Sequence, residues 1–207
     1  MKFYPNGILL QPIDSPSTYL HNLKFQYQGL DAYGTMPLCG YSSDVEARCL
    51  HEEYYDWLFD AEIGQKTEVF YSLPFLRRYL RKCKELHIQT RLVFVESEFC
   101  KPLWEGPVPN LRFMGYEFCS TPFDCQIITD LAFHKPFAEK YVPLLNQYGL
   151  FGKLEDCEAF KLDYEQAFAA GEVGDGDATN MIYRLSLVES GQDEWLASWL
   201  HHRTDAT

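Results

Sequence analysis

The feature of this sequence that most constrains its fold is a helical apolar stripe followed by a strand-length apolar run, which occurs twice. The first stripe opens at Pro74 and precedes a run rich in β-branched and aromatic residues over residues 88–96. The second stripe spans residues 154–168, has Gly171 as its stop signal and precedes an apolar run over residues 180–188. Apolar residues three and four positions apart indicate a helix, whereas a short β-branched run indicates a strand. The sequence therefore predicts both element types in one chain.

Further elements follow from the same periodicities and from turn residues. Additional strands are predicted over residues 7–13, 24–28, 111–118 and 126–133. Additional helices are predicted over residues 43–64, over residues 136–149 and in the tail after residue 192. Pro143 lies inside the predicted helix 136–149, and we expect it to strain or kink that helix. Because helices and strands alternate irregularly, the sequence predicts an α+β fold whose mixed or mainly antiparallel sheet is packed by about four to five helices.

Size and composition predict one domain located in the cytoplasm. The chain has 207 residues, 46% of them hydrophobic, and shows no internal repeat or long flexible linker, so we expect a single domain over residues 1–207. No apolar run approaches the roughly 20 residues that cross a bilayer, so no membrane partner is expected. The first residues lack the features of a secretory signal. Seven Cys residues, an odd number, are scattered along the chain, which favours a reducing compartment.

The charge distribution narrows the class of partner. The formal charge is −12, which argues against nucleic acid as a partner because phosphate binding needs clustered Lys and Arg. The segment 77–91 is nevertheless basic, with six bases and one acid. The segment 155–207 carries twelve acids and three bases, which gives a local charge of −9. A surface of this kind favours a protein partner with a basic surface.

Metal and cofactor motifs do not occur at the required spacings. No two Cys are separated by two residues, and His51 lacks the second His four positions on that a helical zinc protease needs. Asp175 and Asp177 flank a glycine as in a calcium loop, but the twelfth position counted from Asp175 is Ser186 instead of Glu. We therefore expect no metal ion and no cofactor.

A cysteine nucleophile is the feature that would make this protein an enzyme. Cys119 and Cys125 precede His134 within one region, and a Cys–His pair would form if two strands bring them together. The competing interpretation is that these Cys residues are small, buried and apolar, which is the usual role of a free thiol. No Gly-x-Ser-x-Gly motif is present, so a serine nucleophile on a strand-to-helix turn is not expected.

Short segments in the second half carry a resemblance to a known class of proteins. A Gly-Tyr-acid step occupies residues 115–117 in a predicted strand, an Ile-Ile-Thr-Asp run follows at residues 127–130, and an Asn-x-Tyr-Gly-Leu-Phe motif spans residues 146–151. This pattern, spread over roughly residues 91–190, resembles immunity proteins of bacterial polymorphic toxin systems. The resemblance implies a cytosolic inhibitor that binds a cognate toxin domain and blocks it, without catalysis of its own.

The resemblance indicates the class of protein but does not identify its binding residues. The residues of the motifs themselves are expected to serve the fold. Gly115 relieves crowding at a strand, Gly149 stops a helix, and Tyr116 packs. Contact with the partner is therefore expected from exposed acids elsewhere in the chain.

The acidic loop 171–177 is the predicted partner-binding segment. It has too little apolar content to pack, and its residues Glu172, Asp175 and Asp177 are predicted to bind a toxin domain with a basic cleft. The alternative for these three acids is an ordinary solvated loop. The alternatives for the whole protein are a small cytosolic enzyme with a Cys/His site and a host regulatory or scaffold protein.

Overall fold

A computed structural model describes the backbone of a β-rich core and one long helix. The described residues are 1–12, 69–70, 76–77, 80–81, 84, 90–98, 104, 106–119, 139–146, 148–172 and 180–189. The elements, in chain order, are β1 (Tyr4–Pro12), β2 (Val69–Phe70), β3 (Thr90–Ser97), β4 (Leu111–Cys119), a 3-10 turn (Val142–Leu144), α1 (Leu154–Ala169) and β5 (Met181–Val188).

The strands form one antiparallel sheet. Their order is β2-β1-β3-β5-β4, and every pairing between neighbours is antiparallel. The strands predicted at residues 7–13, 88–96, 111–118 and 180–188 are therefore confirmed, with ends that differ by at most three residues. The short strand β2 was missed, because two apolar residues carry no periodicity.

Each face of the sheet carries a buried apolar cluster, which accounts for the largely apolar runs in β3 and β5. On one face, a cluster pairs Val93 and Val95 of β3 with Leu187 and Leu185 of β5. On the other face, Phe118 of β4 lies opposite Ile182 of β5, and both belong to the cluster that includes the buried side of α1. Burial on both faces removes the alternation of apolar and polar residues that a half-exposed strand shows.

Helix α1 covers one end of this second face. Its buried residues are Cys157, Phe160, Tyr164 and Ala167, at the three- and four-residue spacing that places side chains on one side of a helix. The Phe160 ring contacts the Phe118 ring edge-on, with 6.2 Å between centroids. This stripe matches the prediction over residues 154–168.

The end of α1 shows why Gly171 stops the helix. Gly171 has φ +73°, a left-handed conformation that glycine adopts without steric cost. Its N–H donates to the Phe168 carbonyl at 2.9 Å, and the Glu172 N–H donates to the Ala167 carbonyl at 2.9 Å. This pair of bonds is a Schellman cap, which satisfies carbonyls that the helix leaves without partners.

The prediction that four to five helices pack the sheet is wrong for the described part of the chain. Only α1 there is a complete helix of more than two turns. The predicted helix 136–149 is replaced by helical residues 139–141, a 3-10 turn and an isolated bridge between Leu145 and Phe151. Pro143 is the physical reason, because it lacks the N–H of a helical bond and its ring clashes with the preceding turn. Apolar periodicity alone overestimated the helix.

Other predicted elements have only partial or no description. Within the helix predicted after Pro74, residues 76–77, 80–81 and 84 are helical. The strands predicted at residues 24–28 and 126–133, the helix at residues 43–64 and the tail helix lie outside the described residues.

Candidate functional site

Two of the segments that carry the resemblance lie against each other. The Tyr116 N–H donates to the Phe151 carbonyl at 2.8 Å, and the Phe151 N–H donates to the Tyr116 carbonyl at 3.0 Å. The motif at residues 146–151 therefore adds a strand-like pairing to the side of β4 that faces away from β5. The third segment, residues 127–130, lies outside the described residues.

Asn146 holds this pairing in place through its side-chain amide. Its Nδ2 donates to the Met114 carbonyl at 2.7 Å, while its Oδ1 accepts from the N–H groups of Tyr148 at 2.9 Å and Leu150 at 3.3 Å. One side chain thus satisfies a strand carbonyl and two turn donors, a combination that an apolar residue at this position would lose. Asn146 is a structural residue that the sequence analysis did not single out, although its place in the quoted motif was the available signal.

The glycines of these two segments have different roles: Gly115 a steric one and Gly149 a conformational one. A Cβ built on Gly115 would lie 2.5 Å from Leu150 Cβ and 2.9 Å from the Phe151 carbonyl oxygen, so only glycine permits the close approach. Gly149 has φ +70° in the turn between Asn146 and Leu150. The expectation that Gly115, Tyr116 and Gly149 serve the fold is confirmed, with Gly149 forming a turn beyond the shortened helix instead of ending a long one.

The outer face of α1, formed by Glu155, Glu158, Leu162 and Glu165, is the first candidate surface. These four residues are exposed, and Leu162 has 56% of its surface accessible. At 100° per residue they lie within about 60° of Leu162 around the helix axis. An exposed leucine flanked by carboxylates has the composition of a contact surface, with an apolar centre and a charged surround.

Two ion pairs hold α1 to the rest of the molecule without using the acids of its outer face. Lys161 Nζ lies 2.7 Å from Glu98 Oε1, and the same oxygen accepts from the Ile182 N–H at 3.0 Å. Glu98 thus ties the end of β3 to β5 and to the helix. Within the described part of the chain, Glu155, Glu158 and Glu165 form no ion pair, so their charges remain available to a partner.

The second ion pair, between Lys140 and Asp163, also accepts a hydrogen bond from a tyrosine. Lys140 Nζ contacts Asp163 Oδ2, and the Tyr141 hydroxyl donates to the same oxygen at 2.6 Å, with the Ala159 carbonyl 3.1 Å away. Burial, followed by the hydrogen bond to Asp163, raises the pKa of Tyr141 to about 12. The hydrogen bonds from Lys140 and Tyr141 lower the pKa of Asp163 below its usual value. This cluster therefore keeps a neutral phenol beside an ionised carboxylate at neutral pH.

A second candidate surface lies on the sheet face that carries α1. There Glu96 of β3 is opposite Arg184 of β5, which is opposite Tyr116 of β4. Arg184 Nε lies 3.5 Å from Glu96 Oε2, and burial raises the pKa of Glu96 while Arg184 opposes that rise. The Arg184 guanidinium carbon lies 5.8 Å from the centroid of the Phe113 ring.

A β-bulge brings Phe113 to this surface. The register of β4 against β5 shifts between Phe113 and Gly115. Strict alternation would place Phe113 and Tyr116, three positions apart, on opposite faces, but their ring centroids are 5.0 Å apart. The surface formed by Phe113 and Arg184 could not be predicted from sequence, because it depends on this shift.

The predicted site residues are only partly described. Glu172 is exposed directly after the C-terminal cap of α1, whereas Asp175 and Asp177 lie outside the described residues. Cys119 is buried in β4, while Cys125 and His134 also lie outside the described residues. Cys157, the other described thiol, is buried, and burial followed by the charge of Glu117 raises its pKa above the usual value. The expectation of small buried thiols is confirmed for Cys119 and Cys157.

Leu162 was missed by the sequence analysis although a signal was present. It is an apolar residue two positions from both Phe160 and Tyr164, and so lies off the stripe that packs against the sheet. Its place on the exposed side of an otherwise acidic helix was the available signal, although a single exposed apolar residue is common on folded proteins.

Among the described residues, no helix has the length and apolar character needed to cross a bilayer. The same part of the chain contains no group of three or more His, Cys, Asp or Glu side chains that could hold a metal ion.

Comparisons with known proteins add no relatives. No protein-family model, no curated protein and no solved structure matches this chain.

Proposed function

We propose that this protein is a non-catalytic immunity protein that binds and neutralises a cognate bacterial toxin domain in the cytoplasm. The observation that carries the proposal is the outer face of α1, where three carboxylates without an ion pair among the described residues flank an exposed leucine. Glu172 is a further exposed acid just past the end of the helix. The resemblance of residues 115–117 and 146–151 to immunity proteins supports the same class of function.

The physical basis of inhibition would be occupation of a basic cleft. A toxin domain that acts on nucleic acids or nucleotides attracts phosphates with clustered Lys and Arg, and an acidic protein surface competes for the same field. Leu162 would supply the desolvated apolar contact that electrostatics alone does not, since charged rims contribute more to encounter rate and specificity than to affinity. No covalent step is needed.

The test is co-expression with the protein encoded immediately upstream, scored by growth rescue and by co-purification. Rescue with a stable complex is the expected result. A toxic neighbour that this chain neither rescues nor binds would contradict the proposal.

The surface is tested by Glu158→Lys, with Glu189→Lys as the control because it makes the same charge change on an exposed acid far along the chain. Glu158→Lys should weaken the complex at low salt by about tenfold or more, because it places like charges against each other. Glu189→Lys should have a much smaller effect. Equal effects of the two variants would assign the interaction to net charge and would remove α1 from the interface.

A further inference from the structure

On the sheet face between α1 and Trp104 lies Arg184, whose guanidinium Nε makes no hydrogen bond to the described residues. Along β5, Ile182 lies under α1, Arg184 follows on the same face, and Ser186 comes next. Phe94, which is opposite Ser186, contacts Trp104 edge-on with 6.3 Å between ring centroids. Arg184 therefore lies at the middle of this face, with covered positions on both sides.

The partners of Arg184 leave donors free. Its Nε is buried without a hydrogen-bond acceptor, since Glu96 Oε2 at 3.5 Å gives an ionic contact but no aligned hydrogen bond. The side chain is nonetheless 42% exposed, so the terminal amino groups reach solvent. A guanidinium carries five N–H donors in a rigid fork, and this fork has one distant carboxylate oxygen among the described residues.

Phe113, Ser186 and Tyr116 form the surface around the Arg184 guanidinium. The Phe113 ring, 41% exposed, lies 5.8 Å from the guanidinium carbon, within range of a cation–π contact. Ser186, opposite Phe113 in the register, is buried with an Oγ that has no hydrogen-bond partner. The Tyr116 ring lies next to Phe113 and also contacts Phe3, whose centroid is 5.6 Å from that of Tyr116. Aromatic rings around an arginine are the composition found at the energetic centre of protein interfaces.

We propose that Arg184 and Phe113 form an anchor for a carboxylate side chain, Asp or Glu, of a partner protein. A planar carboxylate accepts two parallel N–H bonds from the guanidinium fork, which lies over the aromatic ring. The charge of the surroundings selects a single carboxylate over a polyanion, because Glu96 and the overall charge of −12 repel phosphate chains. This inference does not depend on the identity of the partner or on the proposed immunity function.

The anchor is tested on the full chain by NMR, with N-acetyl-glutamate amide as the probe and N-acetyl-glutamine amide as its uncharged match. The Arg184 Nε–H resonance should move saturably with the glutamate probe and remain unchanged with the glutamine probe. Arg112 is the internal control, because it is an exposed arginine 3.9 Å from Glu189 on the same strand pair. Its resonance should move much less.

Substitutions then distinguish the contribution of the guanidinium geometry from that of its positive charge. Arg184→Lys keeps the charge and loses the fork, and Phe113→Leu keeps an apolar side chain and loses the ring. Each should weaken binding of the glutamate probe by about two- to fivefold, whereas Arg112→Lys should leave it unchanged. Phe113→Leu keeps the test decisive if Arg184→Lys fails to fold, because Phe113 is partly exposed.

Several results would overturn the proposal. Equal shifts of Arg184 and Arg112 would show unselective surface charge, and equal shifts with both probes would show that the carboxylate is not recognised. A larger response of Arg184 to inorganic phosphate than to the glutamate probe would assign the site to phosphate instead.

Discussion

At the residue scale, the two segments that carry the resemblance are held together by a close backbone contact at Gly115 and by the side-chain amide of Asn146. Gly115 permits contact of β4 with Leu150, and Asn146 bonds the Met114 carbonyl. These residues explain why the two motifs lie together without giving either a direct role in binding. In this protein the two motifs form a structural unit, and the surface proposed for binding lies elsewhere, on the outer face of α1.

Gly115→Ala should destabilise the protein by about 1–3 kcal/mol, because the added methyl would lie 2.5 Å from Leu150 Cβ and force the segment off the strand. Urea unfolding measures the loss. Gly152→Ala is the matched control, since a Cβ there has no atom within 4 Å, and it should change the free energy of unfolding by less than about 0.5 kcal/mol. Similar losses for both variants would show that the steric argument is wrong.

Tyr141 gives a residue-scale prediction about pH. Because its folded pKa is about 12, above the ordinary value of about 10, its contribution to stability is complete below pH 10 and is lost as pH rises towards 12. The phenolate absorbance of the wild type minus that of Tyr141→Phe should therefore titrate near pH 12. A difference curve centred near pH 10 would mean that neither burial nor the hydrogen bond to Asp163 raises the pKa of Tyr141.

At the element scale, α1 has one side committed to the fold and the other available for binding. Phe160 is fully buried against rings that include Phe118, Tyr141 and Tyr164, whereas Leu162 is exposed two positions later. Phe160 thus packs in the core, whereas Leu162 on the same helix is accessible to a partner. Substitutions at Phe160 and Leu162 can therefore be compared within one helix.

Phe160→Ala should cost about 3–5 kcal/mol of unfolding free energy, since it leaves a cavity among aromatic rings. Leu162→Ala should leave stability within about 0.5 kcal/mol of the wild type, because it removes little buried surface. Thermal and urea unfolding of the two variants give the comparison. Co-purification with the partner then shows whether Leu162→Ala weakens the complex; a stable variant with undiminished binding would exclude Leu162 as an anchor.

At the scale of the whole molecule, the charge of −12 acts at a distance that no single contact reaches. The field of an acidic protein steers a basic partner before contact and is screened over about 10 Å at 0.1 M salt. Net charge therefore bears on how fast a complex forms more than on how long it lasts.

The association rate with a basic partner should fall by about tenfold or more between roughly 20 mM and roughly 500 mM salt, with a smaller change in the dissociation rate. Stopped-flow mixing of the co-purified partners, after separation, measures both rates. An association rate that does not depend on salt would contradict electrostatic steering and with it the acidic-surface proposal.

The sequence by itself determined the strands β1, β3, β4 and β5 and the helix α1 with its Gly171 stop. Local periodicity and turn residues carry that information, because neighbouring side chains in one element share a face. The same reasoning gave the role of Gly115 and the buried state of Cys119 and Cys157, whereas Gly149 forms a turn instead of the predicted helix end.

Only the tertiary structure decided how those elements meet. Contacts between distant residues set the strand order, the bulge that turns Phe113 towards Arg184, and the ion pairs of α1, which among the described residues involve no acid of its outer face. Such contacts have no local signature, because the free energy of pairing depends on which residues the fold brings opposite each other. The candidate surfaces arise from that pairing, so sequence patterns could identify the acidic character of the segment but could not assign it a face.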